Sequence, residues 1–192
     1  MVYLLKYWDS QLFLWLNDKH NDFFDVVMLW ASNKLFWIPL YLFLIYLLFK
    51  NFKKKSFWIL LTVGVLIFCA DQFSVGLKNY FQRLRPCHDP ALEGLVHLVK
   101  NKCGGSFGFV SSHATNHFAI AVLLSLIFKN TYKYFTPVII IWAAVIAYSR
   151  VYLGVHYPGD ILGGAILGTL LGFILGKTYL FLSNKFILKT NN

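Results

Sequence analysis

Long apolar stretches alternate with short polar ones along this chain of 192 residues. Five stretches are apolar enough, over enough residues, to cross a bilayer. They run from about Phe23 to Phe49, Phe57 to Leu77, Ser112 to Phe128, Tyr134 to Ser149 and Pro158 to Leu182. A break is expected in the first, around Ser32, Asn33 and Pro39. Ahead of them, Leu5, Trp8, Leu12, Trp15 and Leu16 recur at helical spacing, which predicts an amphipathic helix over residues 1–20 lying in the membrane interface. It is not a signal peptide, because Lys6 and Asp9 interrupt its apolar core and no small-residue cleavage site follows. One connection is long, residues 84–110, with Pro86, Pro90, Gly104 and Gly105 within it. The expectation is one all-α membrane domain over residues 1–192, a multi-pass bundle of about five transmembrane helices plus the interfacial helix.

Composition agrees: 58% of the residues are hydrophobic and 19% aromatic, with a mean hydropathy of +0.58. The net charge of +10 does not point to a nucleic-acid partner, because the bases are scattered between apolar runs rather than gathered on one polar face. It reads instead as topology. Lys50, Lys53, Lys54, Lys55, Lys129, Lys133, Lys177, Lys185 and Lys189 fall on one side with no acid among them. The other side carries the remaining bases and all 8 acids. The positive-inside rule then puts the "KNFKKK" loop and the C-terminus in the cytoplasm and the 84–110 loop outside. An outward loop is where Cys87 and Cys103 would form a disulfide. The alternatives are a metal site of Cys87, His88, His97 and Cys103, or two free thiols.

Three polar clusters fall at the outward ends of spans: Lys78 and Arg85 in "KNYFQRLRP", Ser111, Ser112 and His113 in "GFVSSHATNH", and Arg150, His156 and Asp160 in "SRVYLGVHYPGD". Ionisable groups at such depths are costly to keep. Each cluster has a plain structural reading: snorkelling bases, a polar helix start, a helix cap with a hydrogen bond. Their convergence on one membrane face makes a shared site the better account. The inventory suits a phosphate ester. Guanidinium forks and an ammonium match phosphate oxygens. A helix start capped by Ser111 or Ser112 presents N–H groups to an anion. Two histidines supply a nucleophile and an acid–base partner. Asp160, one helical turn after His156, is placed to hold one imidazole nitrogen and fix the tautomer.

The set resembles the signature of the type-2 phosphatidic acid phosphatase superfamily: Lys-x6-Arg-Pro, then Pro-Ser-Gly-His, then Ser-Arg-x5-His-x3-Asp. "KNYFQRLRP" and "SRVYLGVHYPGD" match fully, whereas "VSSH" has Val110 for the proline and Ser112 for the glycine. The resemblance implies that His156 attacks phosphorus to form a phosphohistidine and that Asp160 orients it. His113 protonates the leaving oxygen and then activates water. Lys78, Arg85, Arg150, Ser111 and the Ser112 backbone hold the phosphate. It implies no cofactor and no metal.

The expected activity is therefore hydrolysis of a lipid phosphate or diphosphate at the outer face of the plasma membrane. Outward-facing bacterial members of the family commonly act on undecaprenyl diphosphate, the expected substrate. Lipid A phosphate is the alternative, and phosphatidylglycerophosphate follows. A non-catalytic lipid-phosphate-binding or transport protein is the reading from another class, favoured only by the departures at Val110 and Ser112. The expected partners are the lipid substrate and membrane lipids; nothing in the sequence speaks to oligomeric state.

Overall fold

A computed structural model describes residues 2–187. Lys189, one of the bases used to orient the chain, lies outside the described residues. The described chain is helical: α1 (Val2–Asn17), α2 (Asp22–Ser32), α3 (Ile38–Phe52), α4 (Lys55–Phe81), α5 (Ser112–Phe128), α6 (Phe135–Tyr152) and α7 (Pro158–Leu182). Short 3-10 turns at Lys34–Trp37, Pro86–His88, Pro90–Leu92 and Val99–Asn101 fill the connections. A helix satisfies its own backbone, which is what the bilayer interior demands.

Four stretches are long and apolar enough to cross a membrane: Lys34–Phe52, Lys55–Phe81, Phe135–Tyr152 and Pro158–Lys185. The expected first span from Phe23 is divided. Asn33 takes an extended conformation and its side chain accepts from the Leu35 N–H at 3.0 Å, so it ends α2 and starts a new turn. The expected third span is present as α5, but at 17 residues it is shorter than the others, about 26 Å long at 1.5 Å per residue.

Helix α5 is the axis of the bundle and packs against α4, α6 and α7. Its Ala119, Ala121 and Leu123 are buried, in one core with Leu48 of α3, Ile59 and Leu66 of α4 and Ala143 and Ile146 of α6. The glycines of α7 explain its intimate fit. A Cβ on Gly164 would stand 2.6 Å from the Ser111 carbonyl oxygen, and Cβ atoms on Gly168 and Gly172 would run into the carbonyls of Thr115 and Ala119. This four-residue repeat is a packing stripe that brings two backbones together. Large apolar side chains on the outer faces, such as Phe57, Phe68, Leu170 and Ile174, are exposed towards lipid.

Helix α1 shows two faces. Leu5, Trp8, Leu12 and Trp15 are exposed, while Phe13 and Asn17 are buried against the bundle and Leu16 packs there with them. The Asn17 side-chain amide donates to the Tyr152 carbonyl at 2.8 Å, and its oxygen accepts from the His97 N–H at 2.8 Å. The end of α1 is thereby tied to α6 and to the long connection.

Candidate active site

The chain after α4 turns through Gln82 in a left-handed conformation and becomes extended. Pro86 keeps Arg85 out of the helical region, at φ −71 and ψ 156. The extended segment pairs with residues 106–108 through one antiparallel bridge, Leu84 with Phe107. The Arg85 N–H donates to the Ser106 carbonyl at 3.0 Å, and the Gly108 N–H to the Arg83 carbonyl at 2.8 Å. Alternate residues of an extended chain share a face, so Arg83 and Arg85 both turn inward. Cys87 and Cys103 are joined in a disulfide just beyond. Their thiolates are thus not available as metal ligands. His97 points elsewhere, its Nε2 3.0 Å from the Asp25 carboxylate, and His88 reaches the Gly104 carbonyl.

The other two clusters are joined by backbone. The Ser111 N–H donates to the Asp160 carbonyl at 3.0 Å, so α5 and α7 start side by side. Ser111 caps α5: its hydroxyl, wholly buried, accepts from the Ala114 N–H at 3.5 Å. Pro158 occupies the first turn of α7, where its missing N–H has no helical partner. Between α6 and α7, the Val155 and His156 N–H groups both donate to the Arg150 carbonyl, a tight turn that places Arg150 and His156 together.

His156 is buried beneath this roof. Its Nδ1–H donates to Asp160 Oδ2 at 3.3 Å, and its Nε2 accepts from Arg85 Nη1 at 3.2 Å. The imidazole therefore presents the Nε2 lone pair towards the cationic side chains. Burial, together with the charges of Arg85, Arg150 and Lys78, holds the His156 imidazole well below the usual histidine range. It stays neutral, as a nucleophile requires. Asp160 Oδ2 also accepts from the Tyr157 N–H at 3.0 Å. Gly108 matters here, since a Cβ at that position would stand 2.7 Å from Asp160 Oδ2.

Arg150 donates through Nη1 to the Ser32 hydroxyl at the end of α2. The Nε atoms of both Arg85 and Arg150 are buried without an acceptor among the described residues. Two such donors aimed around one histidine are an arrangement that phosphate oxygens complete. Lys78 donates to the Ser112 hydroxyl, which also pairs with Ser74 Oγ at 2.7 Å. The residue standing in place of the family glycine therefore uses its side chain to hold the first cluster's lysine. The His113 ring makes no hydrogen bond among the described residues. The His117 Nδ1–H below it donates to the His113 carbonyl at 2.7 Å, and its Nε2 accepts from the Tyr41 hydroxyl at 3.4 Å.

All eight residues expected to bind or cleave phosphate thus converge on the starts of α5 and α7. Four neighbours were not anticipated: Arg83, whose Nη1 meets Asp160 Oδ1 at 3.0 Å; Asp9, which accepts from Arg83 Nη2 at 2.7 Å; Ser32; and Ser74. Only Arg83 left a trace in the sequence, two positions before Arg85. Two recesses flank the site. A cavity of about 560 Å³ with a mixed lining holds Ser32, Asn33, Lys100, Lys102 and Arg150 beside apolar residues such as Trp30 and Leu153. An apolar groove of about 290 Å³ between α3, α4 and α5 is lined by Leu44, Leu48, Val63 and Ile120, with Lys34 and His117 also on it.

Known proteins resemble this chain in sequence and fold. Lipid A 4'-phosphatase of Bacteroides thetaiotaomicron is 36% identical over 177 residues, covering 91% of this chain and 78% of that protein. Lipid A 4'-phosphatase of Porphyromonas gingivalis is 33% identical, covering 97% of this chain and 79% of its own length. The crystal structure of Aquifex aeolicus LpxE superposes with a TM-score of 0.68 at 26% identity, covering 88% of this chain and 94% of that one. The PAP2 superfamily model matches residues 58–183, a span that contains all three clusters. With the fold, the order of the clusters and these relatives in agreement, the chain belongs to the PAP2 superfamily and is a membrane lipid phosphatase.

Proposed function

We propose that the protein removes a phosphate from a lipid A-type glycolipid at the outer face of the membrane, through a phosphohistidine on His156. The observation that carries the mechanism is the His156 imidazole itself, held by Asp160 at Nδ1 and turned with Nε2 towards Arg85. Substrate phosphate oxygens displace the Arg85 contact and engage Arg85, Arg150 and Lys78, with Ser111 and Ser112 at the helix start beside them. His156 Nε2 attacks phosphorus, and the bond to the ester oxygen breaks. His113 donates its proton to that oxygen. It then takes a proton from water, which attacks the phosphohistidine, releases inorganic phosphate and restores neutral His156. The three cations supply the charge stabilisation this exchange needs.

For the substrate, undecaprenyl diphosphate gives way to the lipid A alternative. The two relatives described above that span nearly the whole chain are both lipid A 4'-phosphatases. The recesses support the same reading: Lys100 and Lys102 share the cavity beside Arg150 and suit the charge of a sugar-phosphate head group, and the apolar groove suits acyl chains. Outward orientation is supported by Lys50, Lys53, Lys55, Lys129 and Lys133, which lie at the helix ends opposite the site.

The test is phosphate release from lipid A, undecaprenyl diphosphate and phosphatidylglycerophosphate, with EDTA present throughout. The expected result is the highest kcat/KM on lipid A, abolished in both His156→Ala and His113→Ala. A preference for undecaprenyl diphosphate would overturn the substrate assignment, and undiminished turnover in either variant would overturn the mechanism.

A further inference from the structure

We infer that Arg83 is a positioning residue of this site, bracing the Asp160 carboxylate against His156, and that Asp9 of α1 fixes the brace. This rests on His156 being the nucleophile. The Arg83 guanidinium lies between two carboxylates, 3.0 Å from Asp160 Oδ1 and 2.7 Å from Asp9 Oδ2. It also stacks over the Tyr157 ring, 4.1 Å from the centroid. It is held on three sides, which a planar fork allows and an ammonium does not.

The carboxylate has two oxygens with separate duties. Oδ2 receives the His156 Nδ1–H and the Tyr157 N–H. Oδ1 receives Arg83. Asp160 is fully buried, so without Arg83 its Oδ1 keeps a full share of negative charge with no donor. The carboxylate then keeps only its two Oδ2 contacts, and the imidazole is less firmly oriented. Both terminal nitrogens of Arg83 are taken up by Asp160 and Asp9, so its contribution reaches the reaction through Asp160.

Asp9 completes the brace from outside the bundle. Its Oδ1 accepts from the Gly159 N–H at 2.8 Å, immediately before Asp160. A Cβ on Gly159 would stand 2.6 Å from Asp9 Oδ2, so this approach needs glycine there. Helix α1 thus reaches two neighbours of the catalytic pair, the Arg83 guanidinium and the Gly159 N–H in the first turn of α7. Its exposed face of Leu5, Trp8, Leu12 and Trp15 makes it the element on which the interface acts. The surface helix is in this way part of the active site.

The experiment is steady-state kinetics of the full-length protein with the preferred lipid phosphate, for Arg83→Gln, Arg83→Lys, Asp9→Asn and the Arg83→Gln/Asp9→Asn double variant. By analogy with other orienting partners of functional histidines, Arg83→Gln should lower kcat by roughly 10- to 100-fold, with KM within about twofold because substrate contacts are intact. Arg83→Lys should recover part of kcat. Asp9→Asn should lose less than Arg83→Gln, and the double variant should be no worse than Arg83→Gln, since asparagine keeps an oxygen for the Gly159 N–H and loses only the charge that holds Arg83. A raised KM at unchanged kcat, or losses that multiply in the double variant, would overturn the inference. If Arg83→Gln fails to fold, Asp9→Asn decides, and wild-type kcat there has the same consequence. His156→Ala is run beside them: a silent Arg83→Gln next to an inactive His156→Ala removes this inference alone, whereas activity surviving in His156→Ala removes the nucleophile assignment and this inference with it.

Discussion

Replacing Asp160 by asparagine tests the site at its most constrained atom pair. The substitution conserves shape and changes only charge and hydrogen-bond direction. Three donors converge on the carboxylate: the His156 Nδ1–H at 3.3 Å and the Tyr157 N–H at 3.0 Å on Oδ2, and Arg83 Nη1 at 3.0 Å on Oδ1. An amide has one acceptor oxygen and one donor nitrogen. With its oxygen at the Oδ2 position, its NH2 group abuts the Arg83 guanidinium. With its oxygen at the Oδ1 position, the NH2 group confronts the Tyr157 N–H and His156 Nδ1. The imidazole proton then moves to Nε2, the atom that must attack. Either orientation leaves buried donors facing each other, a cost of about 1–3 kcal/mol, and removes the negative charge that stabilises a phosphorylated imidazole. A wrong tautomer in a triad hydrolase costs about 10⁴ in kcat, so a loss of roughly 10³ to 10⁴, about 4 to 5.5 kcal/mol of barrier, is expected. Phosphate release measures it, trapping of labelled phosphoenzyme shows whether the first step is the one lost, and a thermal melt confirms folding. A folded Asp160→Asn protein with kcat within tenfold of wild type would refute the reasoning, because the tautomer would then not depend on the carboxylate.

Ser112→Gly, which reinstates the family residue, releases Lys78 from its hydroxyl partner. Hydrogen bonds to charged groups contribute about 1.5–3 kcal/mol, so a KM increase of roughly 10- to 150-fold is expected, and an unchanged KM would show that the Lys78–Ser112 contact does not organise binding. His156 should link folding to pH. Its folded pKa lies below its unfolded value, near 6.5, so the unfolded chain binds the extra proton and stability falls as pH drops below that value. The melting temperature of the wild type should therefore drop more between pH 7 and pH 5 than that of His156→Gln, and parallel drops would remove the linkage. Gly168→Leu should separate α5 from α7, because even a Cβ meets the Thr115 carbonyl. A destabilisation of about 1–3 kcal/mol or more is expected, with loss of activity, while Leu170→Ala on the lipid-facing side should retain both; equal effects in the two variants would contradict the packing argument.

The helices were legible because their signals are local. Pro158 opens α7 and the apolar run ends at Leu182, where the helix ends. Ser111 caps α5, and the run from Ser112 to Phe128 is the helix itself. The third cluster was legible from its spacing, although His156 lies two residues ahead of α7 and meets Asp160 across the start of that helix rather than along a helical turn. What escaped depends on tertiary placement. Ser32 reaches Arg150 across 118 positions, and Asp9 reaches Arg83 across 74. Arg83 has its role only because residues 83–85 are extended and pinned against residues 106–108, which no periodicity around "QRLRP" announces. The Ser112 backbone was legible as a phosphate contact, but its hydroxyl has its role only because Lys78 and Ser74 lie on it.

The interruption between α2 and α3 is the clearest case of a local signal whose meaning was not local. Polar residues at Ser32, Asn33 and Lys34 break an otherwise apolar run, and a non-helical backbone at membrane depth is tolerated only where it is buried in protein or lines a cavity. Here it does the latter on both sides. Ser32 and Asn33 line the cavity beside Arg150, and Ser32 holds Arg150. Lys34, the next residue, lines the apolar groove with His117. The break thus forms the sill between a compartment suited to a sugar-phosphate head and one suited to acyl chains. A glycolipid of the proposed kind would lie across it, with its phosphate ester brought to Arg150 and its chains still at the depth of the bilayer. The three polar residues thus stand at the head of the span that begins at Lys34, with Ser32 on Arg150 and Lys34 on the groove, which is a physical reason for the chain to accept them there.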